Sequence, residues 1–136
     1  MPLQMPKMIQ PQVLLFAFRP EERTMRILRY LTSQGVSVRT VQAAELNETL
    51  GYLFSLPRYE KRGSLDFLTR SVPEMLVMHG FDQAMLDDFL RFFRAEDVRR
   101  VELKAVLTPT NASWTAAELS RHLQAERDAM RKRNRA

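Results

Sequence analysis

His79 is one of two histidines in the chain and stands at the end of an apolar run, Glu74 to His79 (EMLVMH). General acid–base chemistry needs a partner within hydrogen-bond reach of the imidazole. The nearest candidates are Asp82 and, in a matching loop upstream, Arg19. A lone histidine at a strand end more often makes a structural hydrogen bond. Glu118, His122 and Glu126 recur at i, i+4 and i+8, and ligands paired at i, i+4 hold zinc in known sites. Three ligands along one straight helix span about 12 Å, too far for one ion. Arg121 and Arg127 beside them favour ion pairing, so no metal site is expected.

Thr108-Pro109-Thr110-Asn111 is the richest short stretch. Pro109 pre-sets φ for a turn, and Asn111 can hydrogen-bond the backbone nearby. Amide hydrogens at the start of a following helix suit a carboxylate or phosphate. Lys104 would add a positive charge if it reached the same place, although it lies up to ~13 Å along the strand. The bland alternative is a rigid connection in which Thr110 and Asn111 satisfy the backbone and Trp114 plugs the core. No G-x-G-x-x-G, G-x-x-x-x-G-K-[ST] or G-x-S-x-G occurs, which points away from common nucleotide-binding enzymes and serine hydrolases. No cofactor is expected, and the reading leans against an enzyme.

The elements that position these residues follow from apolar spacing. Gln12 to Phe18 and Glu74 to His79 are continuous apolar runs, which suit buried strands; Val36 to Val41 and Arg100 to Leu107 alternate, as half-buried strands do. Helices are predicted over 21–34, after Pro20 and before Gly35, and over 82–94, where Leu86, Phe89, Leu90 and Phe93 share a face. Leu46, Leu50, Leu53 and Phe54 give another short helical pattern that Pro57 stops. Thr115-x-x-Glu118 is a capping box that opens a last helix toward Met130. The 58–73 connection is long, which suits a binding loop or a mobile one. Among the remaining aromatics, Tyr52, Phe54, Phe67 and Phe92 are candidates for a partner-facing patch.

The chain also repeats itself, since LLFAFRPEERTMRILRYL parallels LVMHGFDQAMLDDFLRFF, with Ala17-Phe18 matching Gly80-Phe81. Two β-α-β units result. Central apolar strands need cover on both faces, and a link as long as 42–73 suits a crossover between parallel neighbours. The expected fold is α/β: a small four-stranded parallel sheet, order 2-1-3-4, with helices on both faces. A ferredoxin-like α+β sheet is the alternative. In the all-parallel fold Phe18, Arg19, His79, Phe81, Thr108, Thr110, Asn111 and Trp114 share one rim, where ligands of open parallel sheets bind.

KAVLTPTNASWTAAEL (Lys104 to Leu119) resembles the signature of an uncharacterised bacterial and archaeal domain-of-unknown-function family, with a Lys-Ala-Val strand, a Thr-Pro-Thr-Asn turn, a Trp and an amphipathic helix. LGYLFSLPRYE (Leu50 to Glu60) is similar to the Gly-Tyr-Leu segment of that family, and Gly80-Phe81 also fits. The resemblance extends over about residues 12–130. It implies no particular activity.

Size and charge bound the rest. The chain has 136 residues, 45% of them hydrophobic, enough for one domain with its own core. The expected division is a flexible segment at 1–11, a single domain at 12–130 and a basic tail at 131–136. There is no Cys, which excludes disulfides and thiolate chemistry. Residues 1–11 lack an apolar core for a signal peptide, so a cytoplasmic protein is the default. The net charge is +5, but residues 1–118 balance 15 Lys/Arg against 14 Asp/Glu. The excess lies at the end: Arg121, Arg127, Arg131, Lys132, Arg133 and Arg135 against Glu126 and Asp128. Cations in a last helical turn offset the helix dipole; they also suit phosphates. The functional expectation is therefore a binding module that takes a small anion or a protein at the rim. Its alternative is a nucleic-acid-associated protein using Arg127, Arg131, Lys132, Arg133 and Arg135. A second copy of the chain is a further candidate partner; a membrane is not.

Overall fold

A computed structural model of the chain describes residues 10–63 and 71–135. The expected N-terminal segment 1–11 lies outside the described residues as far as position 9, as do Leu65, Phe67 and Leu68 of the long connection. Among the described residues four strands form one sheet in the order β2-β1-β3-β4: β1 (Gln12–Phe16), β2 (Ser37–Val41), β3 (Met75–His79) and β4 (Leu103–Val106). Helices α1 (Glu22–Ser33), α2 (Leu50–Leu53), α3 (Gln83–Ala95) and α4 (Ala116–Arg135) accompany them.

The strand order is the expected one; the directions are not. β1 runs parallel to β2, and β3 parallel to β4, but β1 and β3 are antiparallel, with Phe16 opposite Met75 and Gln12 opposite His79. The sheet is therefore mixed rather than all-parallel. It is not ferredoxin-like either, because each β-α-β unit joins adjacent parallel strands. Crossover handedness supplies the reason. Right-handed β-α-β units that step outward in opposite directions from two parallel central strands would put α1 and α3 on opposite faces. Turning one unit end for end brings both helices to one face, and α1 and α3 do share a face.

Val13, Leu15, Leu76 and Met78 point into that layer, against Ile27 and Leu31 of α1 and Phe89 and Phe93 of α3. Leu14, Phe16, Met75, Val77 and Leu103 point the other way, against Leu50 and Leu53 of α2 and Ala116 and Leu119 of α4. Each central strand thus buries both its odd and its even residues, which is why these runs lack polar alternation. The long connection does not cross to a parallel neighbour. It carries α2, which covers the second face.

Local signals end the helices where the sequence implies. The Val36 amide bonds the Leu31 carbonyl at 3.0 Å with Gly35 at φ 76°, and the Val98 amide bonds the Phe93 carbonyl at 2.8 Å with Asp97 at φ 51°. Both are six-residue closures of the Schellman type. Asp82 caps α3 by accepting from the Met85 amide. The Thr115–Glu118 capping box is present, with Thr115 Oγ1 accepting from the Glu118 amide at 3.1 Å.

β1 stops at Phe16, short of Phe18, because Ala17 turns to φ 60°; its repeat counterpart Gly80 does the same at φ 82°. A side chain in this region costs about 1 kcal/mol that glycine avoids. Ala17→Gly is expected to raise stability by about 0.5–1 kcal/mol and Gly80→Ala to lower it by about 1–2 kcal/mol, read as shifts in the urea midpoint.

α4 continues to Arg135, so residues 131–135, expected as a tail, are helical. Only its first turns are buried, through Ala116, Ala117, Leu119 and Ser120. No helix among the described residues is long and apolar enough to cross a membrane.

Candidate nucleic-acid interface

Because β1 and β3 are antiparallel, the expected common rim is divided. Phe18 and Arg19 follow β1 at the Phe16 end of the sheet. His79, Phe81, Thr108, Thr110, Asn111 and Trp114 lie at the opposite end, beyond β3 and β4. Even these last are split between faces. Phe81 belongs to the α1/α3 layer, its ring 6.1 Å from that of Phe89. His79 leans on Phe54 at 5.3 Å, and Trp114 stacks on His122 at 4.2 Å, both in the α2/α4 layer. Among the described residues these eight are not brought together.

Asn111 is buried, and its side chain is committed to the turn. Its Oδ1 accepts from the Thr108 amide at 2.8 Å and its Nδ2 donates to the Val106 carbonyl at 3.1 Å, while Thr108 Oγ1 accepts from the Asn111 amide at 3.0 Å. This is the rigid-connection reading of the Thr-Pro-Thr-Asn stretch. Glu118, of the candidate metal face, is likewise engaged in capping.

The His79 side chain makes no hydrogen bond or ion pair among the described residues, and burial pushes its imidazole below the ordinary histidine range. The unfolded chain therefore binds a proton more readily than the native one as pH falls below about 6.5. Stability contributed by the neutral ring is present above that value and is lost toward acid. His79→Phe should flatten this part of the stability–pH curve between pH 7 and 5, as followed by thermal melting.

Among the described residues, a concentration of positive charge lies at the Phe16 end. There α4, leaving the sheet, forms a groove of about 310 Å³ with the segment entering β4. Arg100, Glu102, Leu103 and Lys104 line one wall; Leu123, Glu126, Arg127, Met130, Arg131 and Asn134 line the other. The i, i+4 spacing of Arg127 and Arg131 puts both on the inner face of α4. Each approaches Glu102 at 3.4 Å, and Arg127 Nε also lies 3.5 Å from Asp128. The lining as a whole sets Arg100, Lys104, Arg127 and Arg131 against Glu102 and Glu126, which leaves an excess of positive charge.

Lys104 is half-buried, with Nζ donating to the Val101 carbonyl. Burial, reinforced by Arg100 and opposed by Glu102, lowers its pKa from the ordinary lysine range. Lys132, Arg133 and Arg135 prolong the positive surface along the exposed end of the helix.

Arg23 fixes the other wall. Its guanidinium donates to the Arg99 carbonyl at 2.8 Å and the Arg100 carbonyl at 3.0 Å, pairs with Glu74 at 2.7 Å, and lies over the Phe18 ring at 5.8 Å. Phe18 therefore helps to hold the arm that carries Arg99 and Arg100. The tail cations are legible in the composition; the places of Arg100 and Lys104 in this groove are not. Lys104 points away from the Thr108 turn, toward Val101. The signal that would have found it is the pair Arg99-Arg100 just before a strand that carries Lys104.

A larger groove, about 490 Å³, lies between α1 and α3. Its arginines are matched by acids: Arg26 with Glu96 at 3.5 Å, Arg29 with Glu22 at 3.7 Å and Arg91 with Asp88 at 2.9 Å. It carries little free charge for an anion. The described residues contain no cluster of three or more groups suited to a metal ion.

Residues 74–130 match a domain of unknown function, DUF3783. The DUF3783 match begins just before β3, so β1, α1, β2 and the Leu50–Glu60 segment lie outside it. It takes in the β4 wall of the basic groove and the α4 wall as far as Met130. No curated protein and no solved structure matches the chain.

Proposed function

We propose that the protein is a non-enzymatic module that binds nucleic acid through the groove between β4 and α4 and along the exposed end of α4. The observation that carries this reading is the projection of α4 beyond the sheet, which aligns Arg127 and Arg131 with Arg100 and Lys104 across one groove. Among the described residues lining it none is aromatic. Bases have nothing there to stack on, so the contacts are to phosphates and carry little sequence preference.

Such binding releases counterions, and its logarithmic affinity falls linearly with the logarithm of salt concentration. The test is fluorescence anisotropy with a labelled duplex of random sequence between 50 and 200 mM salt. Binding that ignores salt, or that survives deletion of residues 127–136 unchanged, overturns the assignment. The rim reading required three loops to meet, and they lie at opposite ends of the sheet.

A further inference from the structure

The repeat in the chain reaches further than two β-α-β units, and its geometry defines an interface. β2 begins with Ser37 opposite Gln12, and β4 begins with Leu103 opposite Met75. Gln12 therefore corresponds to Met75, and Ser37 to Leu103. Counting on, Leu14 corresponds to Val77, Gln42 to Thr108, Glu45 to Asn111 and Thr49 to Thr115.

The pairs in the turn and at the helix cap make matching bonds. The Gln42 amide donates to the Glu45 carboxylate at 3.1 Å, as the Thr108 amide donates to the Asn111 side chain at 2.8 Å. Thr49 Oγ1 accepts from the Tyr52 amide and Thr115 Oγ1 from the Glu118 amide, both at 3.1 Å. Two pairs of counterparts also meet each other. Leu14 faces Val77 in the sheet, and Thr49 bridges Thr115 above it. Around the bridge, Leu50 N donates to Trp114 O and Ala116 N to Glu48 O, which is one contact written twice by a two-fold operation.

We infer that the chain is a fused dimer: residues 12–56 and 74–130 are two copies of one half-unit, joined across an isologous interface whose axis passes between Leu14 and Val77 and between Thr49 and Thr115. Isologous association means that one surface serves both partners. The partner that fits the interface of residues 74–130 is thus another copy of the same half-unit, and the matched family segment is half of this sheet rather than a closed fold. The main departure from the symmetry is the length of the last helix, four residues in α2 against twenty in α4. The basic arm was added to, or kept by, one half only.

The test exchanges residues across the axis in the full chain. Leu14→Val and Val77→Leu should each lower the melting temperature by several degrees, and the double variant should return to within about 2 °C of the parent. A second variant grafts the turn of one half onto the other: Gln42→Thr, Ala43→Pro, Ala44→Thr and Glu45→Asn, with Arg39→Ala because Arg39 pairs with Glu45 and its counterpart is Ala105. It should melt cooperatively within about 5 °C of the parent, whereas the same four residues in reversed order should not. Additive losses in the exchange, or a graft no better than its reversed control, overturn the inference.

Discussion

Arg127→Gln with Arg131→Gln is expected to weaken duplex binding by roughly 60-fold at 0.1 M salt and to reduce the salt slope by about 2, because each phosphate contact contributes a slope near 0.9 and hence about 8-fold at that concentration. The loss should exceed this figure slightly, since Glu102, freed of both guanidinium groups, then repels the phosphates from within the groove. Stability should barely change. The two ion pairs to Glu102 join partly exposed side chains, and such pairs are worth about 0–1 kcal/mol. Glu102→Gln should act in the opposite direction and tighten binding. Anisotropy titrations of the two variants at several salt concentrations check all of this, and an unchanged slope in the double variant would remove the groove from consideration.

Asn111→Ala should be the most damaging single truncation in the Thr-Pro-Thr-Asn turn. It strips a hydrogen bond from the Thr108 amide and another from the Val106 carbonyl, in a place where Asn111 is buried. Orphaning a buried polar group costs about 1–3 kcal/mol, so a total of about 2–4 kcal/mol is expected, or a melting temperature lower by roughly 10 °C. Nucleic-acid affinity measured well below the melting point should stay at the parent value, since the turn is at the end of the sheet remote from the groove. A variant that melts normally but fails to bind would instead make the turn a ligand site and reverse both assignments.

Much of this arrangement was legible in the residues themselves. Apolar spacing identified the strands and helices, Gly35 ended α1, Asp82 opened α3, and Thr115 with Glu118 opened α4, because these are local bonds made within a few residues. The order of the strands was legible too: runs as apolar as VLLF and MLVM must be central. Gln42–Glu45, by contrast, showed no sign of being the counterpart of Thr108–Asn111. A glutamate and an asparagine can make the same bond to a backbone amide, and sequence similarity does not register that. The composition shows the cations of α4, but only the packing of α4 beside β4 gives them Arg100 and Lys104 as neighbours.

The direction of β3 relative to β1 is where the sequence by itself was silent. A strand buried on both faces hides the same side chains whichever way it runs, so the pattern of MLVMH is equally content with a parallel or an antiparallel neighbour. What decides is global: both β-α-β units must cross over with the same hand while sharing one face, and that is satisfied only when one unit is turned end for end. Composition and periodicity thus determined which residues are core, which cap helices and where the positive charge is carried. Tertiary structure alone determined which ends of the strands coincide, and with them whether Phe18 keeps company with Asn111 or, as found, with Arg23 and the arm that carries Arg100.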